Sequence, residues 1–356
     1  MLAASVACGR GIELAGPPMT TLFDKPQRII SPTLVPAQLR GVDEFERQPK
    51  TDAVLTIGLV NNMPDAALQA TERQFTRLLQ AAAGNKRIHL HCFSLPSVKR
   101  SQQAKQLMDG RYADIADIGR LHIDGLIVTG AEPIAATLPE EPFWKDLTDI
   151  IDWAETNTRS AIWSCLAAHA AVLHLDGIER QRLDVKCSGI YDCAKVGDDW
   201  LMKDISSPLK VAHSRINALD KGDLTAHGYQ LLTESRQAGV DIFAKQLRSH
   251  FIFFQGHPEY DALSLQREYL RDITRFLSRQ RDIYPAFPVG YFDTDTEHKL
   301  INYQKRARAE RTIPLSVELP HLTLRADLAV GVAAAALFSN WLEYLSHSVK
   351  LRTGMN

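Results

Sequence analysis

Short apolar runs alternate with amphipathic stretches between residues 54 and 175. The first run, at 54–60, is nearly continuous in apolar residues and predicts a strand that is buried on both faces. Further strands are predicted at 88–95, 124–130 and 160–165, and helices at 66–82, 101–109, 142–156 and 167–175. Because strands that alternate with helices form βαβ units, this order indicates an α/β fold with a mostly parallel sheet flanked by helices.

The pattern changes after these units. Short β-like runs come next, followed by a predicted helix at 262–279 and an apolar helix at 328–345. Prolines and weak periodicity make 1–50 an irregular N-terminal arm. We therefore predict one sheet-centred domain at 51–285 and a C-terminal extension at 286–356, which packs on the domain or forms a dimer interface.

Composition narrows the class of protein. The 356 residues are 45% hydrophobic and 23% charged, and 41 basic side chains against 42 acidic ones give a net charge of −1. That balance argues against a nucleic-acid partner, and no apolar run approaches the ~18 residues of a membrane span. The cysteines form no Cys-x-x-Cys pair, so we expect a reducing cytoplasm and neither a disulfide framework nor a structural zinc site. A start at Met19 fits the sequence as well as one at Met1.

Cys165 is the sharpest candidate for chemistry. It ends an apolar run and precedes an Ala-rich helix, so we expect it on a strand-to-helix turn at the carboxyl edge of the sheet. The backbone N–H groups of a helix N-terminus can stabilise an oxyanion beside such a thiol. The alternative is a packing residue, because free cysteine behaves as a small hydrophobic side chain. Cys92, Cys187 and Cys193 are interpreted in that way.

A second group of candidates follows the apolar run at 251–254. Gly256 is predicted to allow a sharp turn, and Pro258 stiffens the step between His257 and Glu259. A nucleophilic thiol needs a base, and the base needs an orienting carboxylate. The i, i+2 spacing in an extended segment directs both side chains to one side. The alternative is a solvated turn at the end of a strand.

The order of Cys165, His257 and Glu259 on an α/β chain resembles the class I glutamine amidotransferase superfamily. Within that superfamily the chain resembles the homoserine O-acyltransferases, the branch that contains the homoserine O-succinyltransferases, over about residues 54–345. The likeness is carried by segments that follow one another as in that family: 57–64, 71–79, 124–131, 186–191, 212–215, 256–261, 268–272 and 337–342.

The resemblance implies an acyltransferase of methionine biosynthesis that moves an acyl group from acyl-CoA to the hydroxyl of homoserine. Cys165 is then the nucleophile that forms an acyl-enzyme, His257 is the general base, and Glu259 orients the imidazole. The backbone N–H groups of Leu166 and Asn62 are expected to hold the oxyanion.

The same resemblance assigns the rest of the pocket. Arg271 is expected to grip the carboxylate of the acceptor, a task that suits the forked guanidinium group, and Lys186 and Ser214 are expected to line the pocket. Without the resemblance, Lys186 and Arg271 would be interpreted as ordinary surface charges. Acyl-CoA, as succinyl-CoA or acetyl-CoA, is a co-substrate, and no permanently bound cofactor or metal is expected. The likeness further implies a homodimer that binds small-molecule substrates.

Departures from the family pattern leave alternatives open. Leu166 and Ala167 follow the nucleophile where the family usually has Trp-Gly, and 65–70 lacks an expected lysine. Ile134 stands where glutamate often marks acetyl donors and glycine succinyl donors, which favours succinyl-CoA. Basic residues at 299–311 predict a solvated helix or a contact with CoA phosphates. The alternatives are acylation of another hydroxy amino acid such as serine, glutamine amide hydrolysis, and a non-catalytic binding protein.

Overall fold

The computed structural model describes residues 54–311, 318–325, 327 and 331–353. The predicted arm at 1–50, and with it the alternative start, lies outside the described residues. In the described part of the chain, no helix combines the length and apolar character that crossing a membrane requires.

A mostly parallel sheet forms the centre of the fold. The strands assigned in the described residues are β1 (Val54–Val60), β2 (Arg87–Phe93), β3 (Gly125–Val128), β4 (Ser160–Ser164), β5 (Gln181–Lys195), β6 (Leu209–Ala218), β7 (Gln230–Leu231), β8 (Thr233–Ser235), β9 (Gly239–Val240), β10 (Ile242–Gln246) and β11 (His250–Phe254). Seven of them form the larger sheet in the order β2-β1-β3-β4-β11-β10-β7. The first five in that order run parallel, and β10 is antiparallel to both of its neighbours, β11 and β7. The predicted α/β class is confirmed.

Helices cover both faces of this sheet. They are α1 (Asp65–Ala82), α2 (Gln102–Met108), α3 (Trp144–Asn157), α4 (Leu166–Asp176), α5 (Lys221–Ala226), α6 (Ser264–Leu277), α7 (Thr294–Glu310) and α8 (Val332–Thr353). One apolar cluster joins α3 and α4 to one face, and a second joins α1 and α8 to the other. Burial on both faces explains why β3, β4 and β11 are short apolar runs. A smaller antiparallel sheet, β6-β5-β8-β9, completes the fold.

The C-terminal helix α8 packs directly on the larger sheet. Nε1 of Trp341 donates a hydrogen bond to Oγ of Ser160 at 3.0 Å. A Cβ atom at Gly125 would lie 2.6 Å from the Trp341 ring, so the first residue of β3 has no room for a side chain. The helix begins later than predicted, after Gly331, because the φ of +96° at that glycine lies outside the helical region.

The basic segment 299–311 overlaps the second half of α7. Leu300 is buried in a third apolar cluster, whereas exposed Lys299 pairs with Asp295. The structure agrees with the predicted helix. None of the basic residues of this segment lines the cavity described below.

Candidate active site

The carboxyl ends of β1, β3, β4 and β11 meet at one edge of the larger sheet, where a cavity of about 210 Å³ opens. Seven of the eight predicted site residues line this cavity: Cys165, Leu166, Lys186, Ser214, His257, Glu259 and Arg271. The eighth, Asn62, does not. A larger and more open depression of about 860 Å³ beside α2 is lined by neither a cysteine nor a histidine.

Cys165 lies in the tight turn between β4 and α4, as predicted. Its backbone has φ +53° and ψ −113°, a strained conformation that folded proteins retain mainly at functional sites. The Cys165 N–H donates to the carbonyl oxygen of Phe254 at 2.7 Å, which ties the turn to the end of β11. The half-buried thiol is therefore held at a rigid sheet edge, at the N-terminus of α4.

His257 and Glu259 form a buried hydrogen-bonded pair. Nδ1 of His257 lies 2.9 Å from Oε1 of Glu259, and the imidazole lines the same cavity as the Cys165 thiol. Burial alone lowers the pKa of His257, but the interactions of the imidazole with Glu259 and Cys165 raise the pKa well above its ordinary value of 6.5. The arrangement places an imidazole base, held by a carboxylate, beside the thiol, which is what a cysteine nucleophile needs.

Gly256 has a different role from the one predicted. The structure shows no unusual backbone angle there, but a Cβ atom would lie 2.5 Å from Cγ1 of Val211 and 2.7 Å from Oδ1 of Asp241. The Gly256 N–H donates to Oδ1 of Asp241 at 3.1 Å. The next N–H, that of His257, donates to the carbonyl oxygen of Ala212 at 2.8 Å. Close packing on β6 therefore fixes the backbone that carries the imidazole.

Tyr260 covers the imidazole of His257. The two rings are stacked, with centroids 4.2 Å apart and an interplanar angle of 18°. The Tyr260 hydroxyl donates to Oε1 of Glu268 at 2.6 Å, and Ser214 donates to the other carboxylate oxygen. Burial raises the pKa of Glu268, but Lys186, Ser214 and Tyr260 outweigh burial and bring the pKa below its ordinary value. An ionised Glu268 therefore holds both hydroxyl groups in place.

Lys186 and Arg271 meet at the carboxylate of Asp272. Nζ of Lys186 lies 3.2 Å from Oδ2, and Nη2 of Arg271 lies 3.2 Å from Oδ1. Burial raises the pKa of Asp272, but these cations keep the pKa below its ordinary value. Glu268 and Asp272 were not predicted as site residues. Glu268, Arg271 and Asp272 stand at positions i, i+3 and i+4, so they share one side of α6. This spacing in the sequence could have identified Glu268 and Asp272 as neighbours of Arg271.

Of the two N–H groups predicted to hold the oxyanion, only that of Leu166 is available in the structure. The N–H of Leu166, the first residue of α4, has no hydrogen-bond acceptor within the described residues. The N–H of Asn62 instead donates to Oγ1 of Thr129 at 2.9 Å, so it is not free to bind a substrate. A Cβ atom at Gly130 would lie 3.1 Å from the Leu166 nitrogen. The N–H groups of Gly130 and Ala131, which also lack acceptors in the described ranges, therefore replace that of Asn62 as candidates.

A buried polar cluster lies next to the backbone of His257. Ligating atoms of Cys193, His213 and Asp241 lie within 4.8 Å of one another. Nε2 of His213 lies 3.4 Å from Oδ1 of Asp241 and 4.0 Å from Sγ of Cys193. Nε of Arg215 lies 3.4 Å from Nδ1 of His213 and places a positive charge against any cation there. The cluster is better suited to supporting the Gly256 backbone than to binding a metal.

The sheet and the cavity define an α/β protein with a Cys–His–Glu arrangement at the carboxyl edge of its parallel strands. The sequence model of one protein family, described as "HTS: Homoserine O-succinyltransferase", matches residues 41–350. The chain belongs to the homoserine O-succinyltransferase family, and the resemblance stated from its motifs is confirmed.

Relatives of the same name are similar over most of their length. A homoserine O-succinyltransferase of Rhodopseudomonas palustris is 59% identical over 329 residues, which cover 91% of this chain and 98% of that protein. A homoserine O-succinyltransferase of Bradyrhizobium japonicum is 58% identical over 329 residues, which cover 92% of this chain and 99% of that protein. Among solved structures, a glutamine amidotransferase of Thermotoga maritima aligns with 82% of this chain and 98% of its own, at 12% identity and a TM-score of 0.45.

Proposed function

We propose that the protein transfers the succinyl group of succinyl-CoA to the hydroxyl of L-homoserine in methionine biosynthesis, through an acyl-enzyme on Cys165. The observation that carries the proposal is the strained Cys165 turn, whose thiol shares one cavity with a His257 imidazole that Glu259 holds. Proteins of that name with 58% and 59% identity to this chain support the choice of donor and acceptor.

In the first half-reaction, the Cys165 thiolate attacks the thioester carbonyl carbon of succinyl-CoA. The negative charge moves to the carbonyl oxygen, and we expect the N–H groups of Leu166, Gly130 and Ala131 to bind this oxygen. The C–S bond to CoA then breaks. The His257 imidazolium gives its proton to the departing CoA sulfur, which leaves a succinyl thioester on Cys165 and a neutral imidazole.

In the second half-reaction, neutral His257 takes the hydroxyl proton of homoserine while the hydroxyl oxygen attacks the succinyl carbonyl carbon. The same N–H groups hold the second oxyanion. The bond to the Cys165 sulfur then breaks, and O-succinylhomoserine leaves a thiolate beside an imidazolium. Glu259 stabilises the imidazolium in both halves of the cycle through its hydrogen bond to Nδ1.

Arg271 and Lys186 are suited to the carboxylate of the acceptor. Both line the cavity that contains Cys165, and the Arg271 side chain is 46% exposed, so its guanidinium remains accessible beside Asp272. A carboxylate held by this fork is fixed in orientation as well as position, and such alignment accelerates attack by the hydroxyl. Ser214 lines the same side of the cavity, with its hydroxyl turned towards Glu268.

The side chain of Ile134 does not contact the cavity. It is 72% exposed and is not among the lining residues. The N–H groups of Ile134 and Ala135 each lie 3.0 Å from Oε1 of buried Glu141, which anchors this loop. An effect of position 134 on donor choice would therefore act through loop conformation. The names of the relatives, and not Ile134, support succinyl-CoA as the donor.

We further infer a homodimer that works in the cytoplasm without a permanently bound cofactor. The family resemblance supports the assembly, and the absence of a Cys-x-x-Cys pair supports the location. Sedimentation velocity tests the assembly: a species of twice the chain mass is expected, and a monomer at micromolar concentration would overturn the inference.

The activity is tested with two donors and two acceptors. Succinyl-CoA or acetyl-CoA is mixed with homoserine or serine, and CoA release and the O-acyl amino acid are measured. We expect kcat/KM for succinyl-CoA with homoserine to exceed that of each other combination by at least about tenfold. Cys165→Ser is expected to abolish turnover. Cys187→Ser is the matched control, because its half-buried thiol lies outside the cavity. Glutamine hydrolysis without CoA release would overturn the proposal.

A further inference from the structure

Four arginine and lysine side chains line the cavity: Arg180, Lys186, Arg215 and Arg271. Three of them have partners. Lys186 and Arg271 pair with Asp272, and Arg215 donates to two backbone carbonyl groups. Arg180 is the one of the four that makes no hydrogen bond and no ion pair with any residue the structure describes.

Arg180 directly precedes β5 and is half-buried. Burial lowers the pKa of its guanidinium, whereas the charges of Glu141 and Cys165 act in the opposite direction. The Glu141 carboxylate does not form an ion pair with Arg180. It accepts hydrogen bonds from the N–H groups of Ile134 and Ala135 instead. Arg180 and Cys165 line the same cavity, so the guanidinium lies within electrostatic reach of the nucleophile. A partly desolvated cation therefore faces the cavity without an anion of its own.

The proposed reaction brings two carboxylates into this one cavity. One belongs to the amino-acid acceptor, and Arg271 is placed to bind it. The other is the terminal carboxylate of the succinyl group, which must leave water when the thioester reaches Cys165. Burying an anion without a cation is costly, so the donor side of the cavity needs a positive charge.

We propose that Arg180 binds the terminal carboxylate of the succinyl donor and thereby selects it over uncharged acyl groups. The inference rests on the proposed function. A guanidinium group offers two parallel N–H donors that match a carboxylate, and a charge-assisted pair of this kind discriminates strongly against a neutral analogue. This assigns donor choice to a cavity-lining residue.

The test uses two donors of equal length that differ in charge. Succinyl-CoA is compared with succinamoyl-CoA, in which the terminal carboxylate is a neutral amide. CoA release is measured in a single turnover without acceptor, for the wild type, for Arg180→Gln, and for Arg182→Gln as the matched control. Arg182 is exposed and does not line the cavity.

We expect the wild type and Arg182→Gln to react with succinyl-CoA about 10- to 100-fold faster than with the amide. In Arg180→Gln this preference is expected to fall to about threefold or less, because the loss of rate falls mainly on succinyl-CoA. A circular dichroism spectrum and melting temperature equal to those of the wild type show that the variant is folded. Arg180→Lys keeps the charge without the fork, and we expect it to show an intermediate preference.

Two results would overturn the inference while the proposed function stands. One is that both Arg180 variants keep the wild-type preference for succinyl-CoA. The other is that the rate of CoA release falls equally with both donors in both variants. A wild-type protein that succinyl-CoA does not acylate would overturn the proposed function together with this inference.

Discussion

Nδ1 of His257 lies 2.9 Å from Oε1 of Glu259, and Oε2 of the same carboxylate is buried without a hydrogen-bond partner among the described residues. The carboxylate therefore has the imidazole as its hydrogen-bond partner. Because the Nδ1 proton is donated to Glu259, Nε2 is left for the Cys165 thiol and, in turn, for the substrate hydroxyl. The charge state of His257 consequently depends on Glu259.

Glu259→Gln removes that charge and keeps the shape of the side chain. Glu259 is the strongest of the charges that raise the pKa of His257, so we expect the substitution to lower this pKa. Loss of the imidazolium is expected to reduce kcat/KM by about 10²- to 10³-fold. The pH–rate profile checks both effects, with exposed Glu140→Gln as control. An unchanged profile in Glu259→Gln would show that the pair does not govern catalysis.

The raised pKa of His257 also predicts how stability depends on pH. Between pH 6.5 and the raised native pKa, the folded state binds a proton that the unfolded state has lost. The contribution of His257 to the free energy of unfolding is therefore full below pH 6.5 and is lost as the pH rises through the native pKa. Urea unfolding of the wild type and of His257→Gln measures this contribution. A difference between them that stays constant with pH contradicts the prediction.

Gly130→Ala tests the revised oxyanion site. The added methyl group would lie 2.9 Å from Cβ and 3.1 Å from the backbone nitrogen of Leu166. We expect kcat to fall by about 10²-fold or more, because the oxyanion loses its donors. Gly119→Ala is the matched control, since its Cβ would meet only Nε1 of Trp153, at 3.8 Å. Equal activity of the two variants would exclude the turn at 130–131 from the site.

Arg271→Ala separates the two half-reactions. We expect acylation of Cys165 by succinyl-CoA to be unchanged, and kcat/KM for homoserine to fall about 10- to 100-fold with the loss of a charge-assisted contact. Arg267→Ala lies on the same helix but outside the cavity and serves as control. Slower acylation in Arg271→Ala would instead assign the residue to donor binding.

Much of the fold was predictable because its signals are local. The parallel strands β1, β3, β4 and β11 are buried on both faces, so each is a short apolar run in the sequence. The Cys165 turn was predictable for a related reason, since the end of a strand and the start of a helix adjoin it in the chain.

The errors concern contacts between distant segments. Asn62 was an unsuitable oxyanion donor because the Thr129 hydroxyl takes its N–H, which the sequence around Asn62 does not reveal. The role of Gly256 depends on Val211 in β6 and on Asp241, far away in the chain. Pairings of this kind follow from the folded arrangement and not from local pattern.

The central claim is that Cys165 carries the acyl group. Intact mass spectrometry after brief mixing with succinyl-CoA, followed by peptide mapping, tests this claim most directly. We predict a gain of one succinyl group on the peptide that contains Cys165, and its discharge when homoserine is added. A folded protein that releases CoA and forms O-succinylhomoserine without any adduct on Cys165, or with full activity in Cys165→Ser, would contradict the account.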